Sequence, residues 1–330
     1  MEIKKQTPLP IDPGLPVAIL LALFAALPLL THAGLPNTAD GPAHLMRQVE
    51  LNRAWQDGIL YPRWAPDLAL GHGMPLFNYA PPLLYFVTQL LHLTGLPLDA
   101  SMKGSVIAAM MLYPAGMYLF ARELFGGRGG LLAAAVYLYA PYRLREAYIQ
   151  GNYGQFWGLA FYPLILWAFH RLVTTGRRRH IPAAALALAG LLLSHNISAM
   201  LFAPLFGLYL LLLIVKKGPS GRPGLAAVGA AIALGLGLSA FFWLPAFGEQ
   251  GLIRLAGITR GFFDFRRNFI TLPELLALPR PLDLSAINPY FPLGLGPAQI
   301  WLAAGGAALL LTARRRASGG ALGRRWPEFS

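Results

Sequence analysis

An aspartate and a histidine one helical turn apart, Asp40 and His44, stand in the stretch Asn37-Thr38-Ala39-Asp40-Gly41-Pro42-Ala43-His44. Residues four apart share a face if a helix begins early enough to include both, and Pro42 suits a first turn. A carboxylate so placed can serve as a general base. The competing reading is that Asp40 only caps the helix through its side-chain oxygen.

Further polar residues are candidates for the same chemistry. The turn Tyr142-Arg143-Leu144-Arg145-Glu146-Ala147-Tyr148-Ile149-Gln150-Gly151-Asn152-Tyr153-Gly154-Gln155 holds an acid, two arginines and several amides. His195-Asn196 and Glu249-Gln250 follow. Ionisable groups at membrane depth are costly, so they are functional or paired. Glu146 has an ion pair with Arg143 or Arg145 as its alternative, and His195 a turn-capping role. Arg143, Arg145 and the arginines of a later loop could bind a phosphate or anchor to lipid headgroups.

The elements that must position these residues are apolar. The 330 residues are 56% hydrophobic and 12% charged, with a mean hydropathy of +0.51, against about a quarter charged in soluble domains. The net charge of +13 sits in short clusters beside apolar runs, a topology signal rather than a nucleic-acid footprint. With no cysteine, disulfides, zinc–thiolate sites and thiol nucleophiles are excluded. The run from Pro16 to Leu35 is long enough to cross the hydrocarbon. A signal peptide would explain Lys4-Lys5 and Thr31-His32-Ala33, but the run is long for one and a Pro-rich spacer precedes it.

Nine apolar runs compete to span: 16–35, 81–96, 101–121, 129–142, 153–173, 181–196, 197–215, 224–247 and 297–313. Only without 81–96 do the basic clusters at Lys4-Lys5, Arg122/Arg128, Arg177-Arg178-Arg179, Lys216-Lys217 and Arg314-Arg315-Arg316 all fall on one side. That run opens with Pro81-Pro82 and carries Gln89 and His92, so it reads as a helix on the outer surface. The expectation is an all-α polytopic transmembrane bundle of about eight spans in a single domain, 1–330, with both termini cytoplasmic. Two outer loops, 36–100 and 248–297, join the spans. The second carries Arg254, Arg260, Arg266 and Arg267 among Phe262, Phe263, Phe265 and Phe269.

The chain resembles bacterial polytopic proteins of the GT-C glycosyltransferase superfamily, nearest a branch labelled 6-pyruvoyl-tetrahydropterin-synthase-related membrane proteins. The resemblance rests on Asp40-Gly41-Pro42-Ala43-His44, Gly58-Ile59-Leu60-Tyr61-Pro62-Arg63-Trp64 and Gly71-His72-Gly73-Met74-Pro75-Leu76-Phe77-Asn78-Tyr79-Ala80-Pro81-Pro82. It continues in Tyr148 to Gln155 and Leu193-Ser194-His195-Asn196. It implies a sugar transferred from a polyprenyl-phosphate donor, with the bilayer as the other partner and no nucleic acid. The active face would be the outer side of the bacterial cytoplasmic membrane.

Asp40 matches the catalytic acid of the first outer loop, and Glu146 stands where a second acid often comes from the next one. With His44 these form the expected catalytic set. Arg143, Arg145, Gln150, Asn152, Tyr153, Gln155, His195 and Glu249 are the expected substrate contacts. A divalent metal, Mg or Mn, with Asp40 as ligand, is the one cofactor the resemblance leaves open, although the chain has no clear Asp-X-Asp or Glu-X-Asp pair. The chain also stops soon after the eighth run, as a fragment or a short member would. A transporter, or a non-catalytic assembly protein with the same fold, are the alternatives.

Overall fold

A computed structural model describes residues 12–218, 222–253, 260–261, 264–267, 269–278 and 293–319; the side chains of 222–223, 310 and 313–319 are outside that description. Lys4-Lys5, Arg254, Phe262 and Phe263, named above, also lie outside the described residues. Among the described residues the secondary structure is helical, with one isolated bridge, Ala65 to Met74, and no strand.

In order the helices are α1 (Gly14–Thr31), α2 (Gly41–Gln56), α3 (Leu76–Tyr79), α4 (Leu83–His92), α5 (Leu98–Leu138) and α6 (Pro141–Arg145). A π-helical turn, Glu146–Gln150, follows. Then come α7 (Tyr153–Thr175), α8 (Ile181–Leu192), α9 (Asn196–Lys217), α10 (Arg222–Gly248), α11 (Leu272–Leu276) and α12 (Pro297–Gly319). The chain divides into two compact units, 1–139 with 143–258, and 140–142 with 259–330.

Five helices among the described residues, α1, α5, α7, α9 and α10, are long and apolar enough to cross a membrane. One of them is two. Gly126 in α5 has φ 73° and ψ 178°, far from helical values. The rings of Tyr113 and Tyr137 lie 5.6 Å apart, whereas a straight helix would separate them by about 36 Å. A Cβ on Gly130 would come within 3.1 Å of Tyr118 and Arg122. The helix therefore folds back at Gly126 into antiparallel arms, 98–125 and 127–138. Glycine is needed there because only it adopts that φ without strain.

In the first unit α7 lies at the centre. Ile165, Phe169 and Leu172 are fully buried among Ala184 and Leu191 of α8, Phe202 of α9 and Val228 and Ala231 of α10. Polar groups between helices are matched: Tyr113 donates to the Phe156 carbonyl at 2.6 Å and Trp157 Nε1 to Ser105 Oγ at 3.1 Å. The outer faces are leucine-rich, as Leu205, Leu208 and Leu212 of α9 show. Apolar faces this extensive suit hydrocarbon rather than water.

α4, from the 81–96 run, has 10 residues and is about 15 Å long. It lies against α2 through a polar ladder in which Gln48 donates to Gln89 and Gln89 to Asn52, each at 2.8 Å. In the second unit, α11 opens with a capping box of Thr271 and Glu274. The Leu295 N–H returns to the Leu275 carbonyl, just ahead of α12.

Candidate functional site

The start of α2 settles how Asp40 is used locally. Asp40 occupies the N-cap position, yet its side chain makes no capping bond. Thr38 does that work: its buried hydroxyl accepts the Gly41 N–H at 3.1 Å. The carboxylate is left half-buried and accepts from the Gln150 amide at 3.1 Å. The backbone of the same segment is sewn to the π-turn, Ala39 N–H to the Ile149 carbonyl and Asp40 N–H to the Gln150 carbonyl at 2.8 Å. Gly151, at φ 72°, closes that turn, and a Cβ there would stand 2.1 Å from Thr38 Oγ1. The close approach requires glycine.

Above this join lies a cavity of about 310 Å³ lined by Asp40, Ala43, His44, Arg47, Ala80, Pro81, Leu84, Tyr85, Asn152, Gly154, Ser194 and His195. Asp40, His44 and Arg47 are spaced i, i+4, i+7, one face of α2. Neither Asp40 nor Arg47 is ion-paired among the described residues. Arg47 donates to the Tyr85 hydroxyl at 3.4 Å, and that hydroxyl lies 2.8 Å from His44 Nδ1.

Burial pushes the Tyr85 phenol up, so it keeps its proton. Burial, then Arg47 and His195, hold His44 down to about 3. The phenol and Nδ1 share one hydrogen bond whose direction follows the tautomer of the neutral His44 ring. His195 reaches the same state differently. Its Nδ1 accepts the Ser198 N–H at 3.2 Å as it caps α9, and burial holds it down to about 4. Both histidines are thus neutral near pH 7, and His195 carries its proton on Nε2. With the Arg47 guanidinium and the Asn152 amide, the His195 Nε2–H makes a wall of donors beside one carboxylate. That wall suits an anionic oxygen next to a hydroxyl.

The other expected residues fall into three groups. Gln150 and Arg145 stand behind the cavity in a relay, Arg145 donating to Gln150 at 3.3 Å and to Glu146 at 2.9 Å. Glu146 is buried, 1% exposed, and ion-paired with Arg145. Tyr153 packs its ring 5.5 Å from that of His44, and Gln155 holds Asn152 at 3.2 Å.

Arg143 and Glu249 are not brought to this cavity. The Arg143 guanidinium stacks 3.6 Å over the Tyr137 ring, an aromatic partner that the hairpin supplies. Glu249 is paired with Arg63 and accepts from Asn78 at 2.9 Å at a second cavity. Sequence reasoning missed Arg47 and Tyr85. The i+7 position after Asp40 was a readable signal for Arg47, whereas Tyr85 arrives from a separate helix. No three His, Asp or Glu side chains among the described residues are grouped to hold a metal ion.

Residues 77–259, more than half of the chain, match the family described as 6-pyruvoyl-tetrahydropterin synthase related domain; membrane protein. A relative in Lactococcus lactis subsp. cremoris (strain MG1363), described as an uncharacterized protein, is 26% identical over 243 residues. That alignment covers 69% of this chain and 38% of the relative, so the chain spans well under half of that protein's length.

Proposed function

The chain belongs to the 6-pyruvoyl-tetrahydropterin synthase related family of membrane proteins, and from that premise we propose that it is a membrane glycosyltransferase of GT-C type. It moves a hexosyl group from a polyprenyl-phosphate carrier to a hydroxyl acceptor. The observation that carries this reading is Asp40: excused from capping by Thr38, its carboxylate lines a cavity with Arg47, which has no ion pair among the described residues.

The reaction follows from those groups. The acceptor O–H gives its proton to Asp40 as its oxygen bonds to the anomeric carbon. The bond from that carbon to the phosphate oxygen breaks, and the carrier phosphate leaves with the electron pair. Arg47 and the Nε2–H of His195 receive the charge that builds on the phosphate, with His44 beside them in the lining. Asp40 then releases its proton to water. Gln150, oriented by Arg145, fixes the carboxylate, so Glu146 and Arg145 are positioning residues.

In this reading the protein sits in the bacterial cytoplasmic membrane with the Asp40 cavity outward. It crosses eight times, through α1, both arms of α5, α7, α8, α9, α10 and α12, with α4 on the outer surface. The basic clusters then lie inside. Because the chain has no cysteine, single introduced cysteines can be labelled with an impermeant thiol reagent. Labelling of Thr175→Cys from outside the cell would overturn the orientation. The reaction is tested with purified protein and a panel of radiolabelled polyprenyl-phosphate sugars. Transfer that is lost in Asp40→Asn supports it, and transfer at the unmodified rate in that variant removes Asp40 as the base.

A further inference from the structure

The second cavity, of about 580 Å³, is built from the first loop and the residues after α10. Its volume lies within the roughly 300–1,000 Å³ of small-molecule sites. Trp64 forms one wall. Its indole seats over Gly73, where a Cβ would come 2.3 Å from Nε1, so the ring is fixed although the residue is 54% exposed.

The polar wall is a closed triangle. Arg63 is ion-paired with Glu249, Arg63 Nε donates to Asn78 Oδ1 at 2.9 Å, and Asn78 Nδ2 donates to Glu249 Oε2 at 2.9 Å. Tyr79 ties the triangle to the chain after α10, its hydroxyl donating to the Glu249 carbonyl at 2.8 Å. Arg63 holds the Glu249 carboxyl below its ordinary range, so the lining carries one positive and one negative charge that cancel.

We infer that this cavity binds a neutral saccharide. A pyranose ring has an apolar C–H face, which an exposed indole face covers, and a rim of hydroxyls that both donate and accept. The triangle leaves capacity of both kinds: each Glu249 oxygen retains a second lone pair, and Arg63 and the Trp64 N–H can still donate. Charged planar groups already paired to one another hold their geometry without a ligand, so little ordering is needed on binding. A net charge of zero favours a neutral ring over a phosphorylated or acidic one.

Tyr79 lines this cavity and Ala80, its neighbour, lines the Asp40 cavity. The Asn196 amide, next to His195, donates to the Tyr79 carbonyl at 3.2 Å. The two cavities therefore meet at adjacent residues of one segment, Tyr79-Ala80. The saccharide's role as the acceptor rests on the transfer reading above; its binding does not.

The test is an array of immobilised neutral and acidic hexose and N-acetylhexosamine oligosaccharides, probed with the full chain in detergent. The wild type should bind neutral members, Trp64→Ala should bind them about tenfold more weakly, and Trp64→Phe, which keeps a stacking face, should stay within about threefold. A wild type that binds no neutral saccharide, equal binding by Trp64→Ala, or loss in both Trp64 variants alike would overturn the inference. Transfer is assayed on the same preparations. Trp64-dependent binding without transfer leaves this site standing and removes the transferase; transfer without such binding does the reverse.

Discussion

Arg63 and Glu249 are joined to each other and to Asn78, while Asp40 and Arg47, in the neighbouring cavity, line one space with no ion pair to any described residue. Both clusters draw on residues 36–100, and both contain one acid and one arginine. Where the charges meet, they fix a loop against the chain after α10 and present a neutral surface. Where they are held apart, each keeps its capacity for a reacting partner. In the proposed reaction the separated pair does the chemistry and the joined pair does the holding.

Breaking the separated pair should have the largest effect. Asp40→Asn should lower the transfer rate by about 10² to 10⁴, the usual cost of a lost general base. Because Thr38 and not Asp40 caps α2, its thermal unfolding should stay close to that of the wild type; a large fall in Tm would return Asp40 to a structural role.

Arg47→Ala should lower kcat/KM by about 10- to 100-fold, the worth of one charge-assisted hydrogen bond to phosphate. Arg47→Lys should recover part of the loss, since a lysine keeps the charge but not the fork. Equal losses in both would point to geometry rather than charge.

The histidines sharpen the comparison through pH. Their folded values, about 3 and about 4, lie below the ordinary 6.5, so they should add no inflection to kcat/KM between about pH 5 and 8. Stability behaves otherwise. The unfolded chain takes up protons that the folded one refuses, so their contribution is complete above about 6.5 and drains away as pH falls towards the folded values. His44→Gln should flatten the fall of Tm between pH 7 and 5. A fall as steep as that of the wild type would mean that His44 titrates normally.

Glu249→Gln breaks the joined pair and should change least. Exposed ion pairs contribute little, so transfer should drop by less than about fivefold. A loss approaching that of Asp40→Asn would place Glu249 in the reaction.

How far all this was legible differs from residue to residue. The pairing of Asp40 with His44 and the start of α2 follow from a local period and a proline. The split of α5 was readable as separate apolar runs at 101–121 and 129–142, divided by Gly126 and Arg128. Gln150 and Asn152 could be gathered near Asp40 because topology alone puts those helix ends on one side.

What the sequence did not place needed contacts that no local pattern encodes. Arg143 resembled a phosphate ligand until the hairpin brought Tyr137 to it. Glu249 found its partners, Arg63 and Asn78, more than 170 positions earlier. The capping of α2 by Thr38 escaped notice because Asp40 occupies the position where a side chain ordinarily does that work.

The seam between residues 39–40 and 149–150 has a consequence in the order of synthesis. Both of its backbone hydrogen bonds link positions 110 apart. The amides of Ala39 and Asp40 therefore wait, without those partners, while the next hundred residues are made. Until Gly151 arrives to slot beneath Thr38, the nascent chain holds its aspartate on an unanchored loop. A ribosome-bound chain stalled before Ile149 should leave these amides open to rapid hydrogen exchange, and one stalled well beyond Gln155 should protect them.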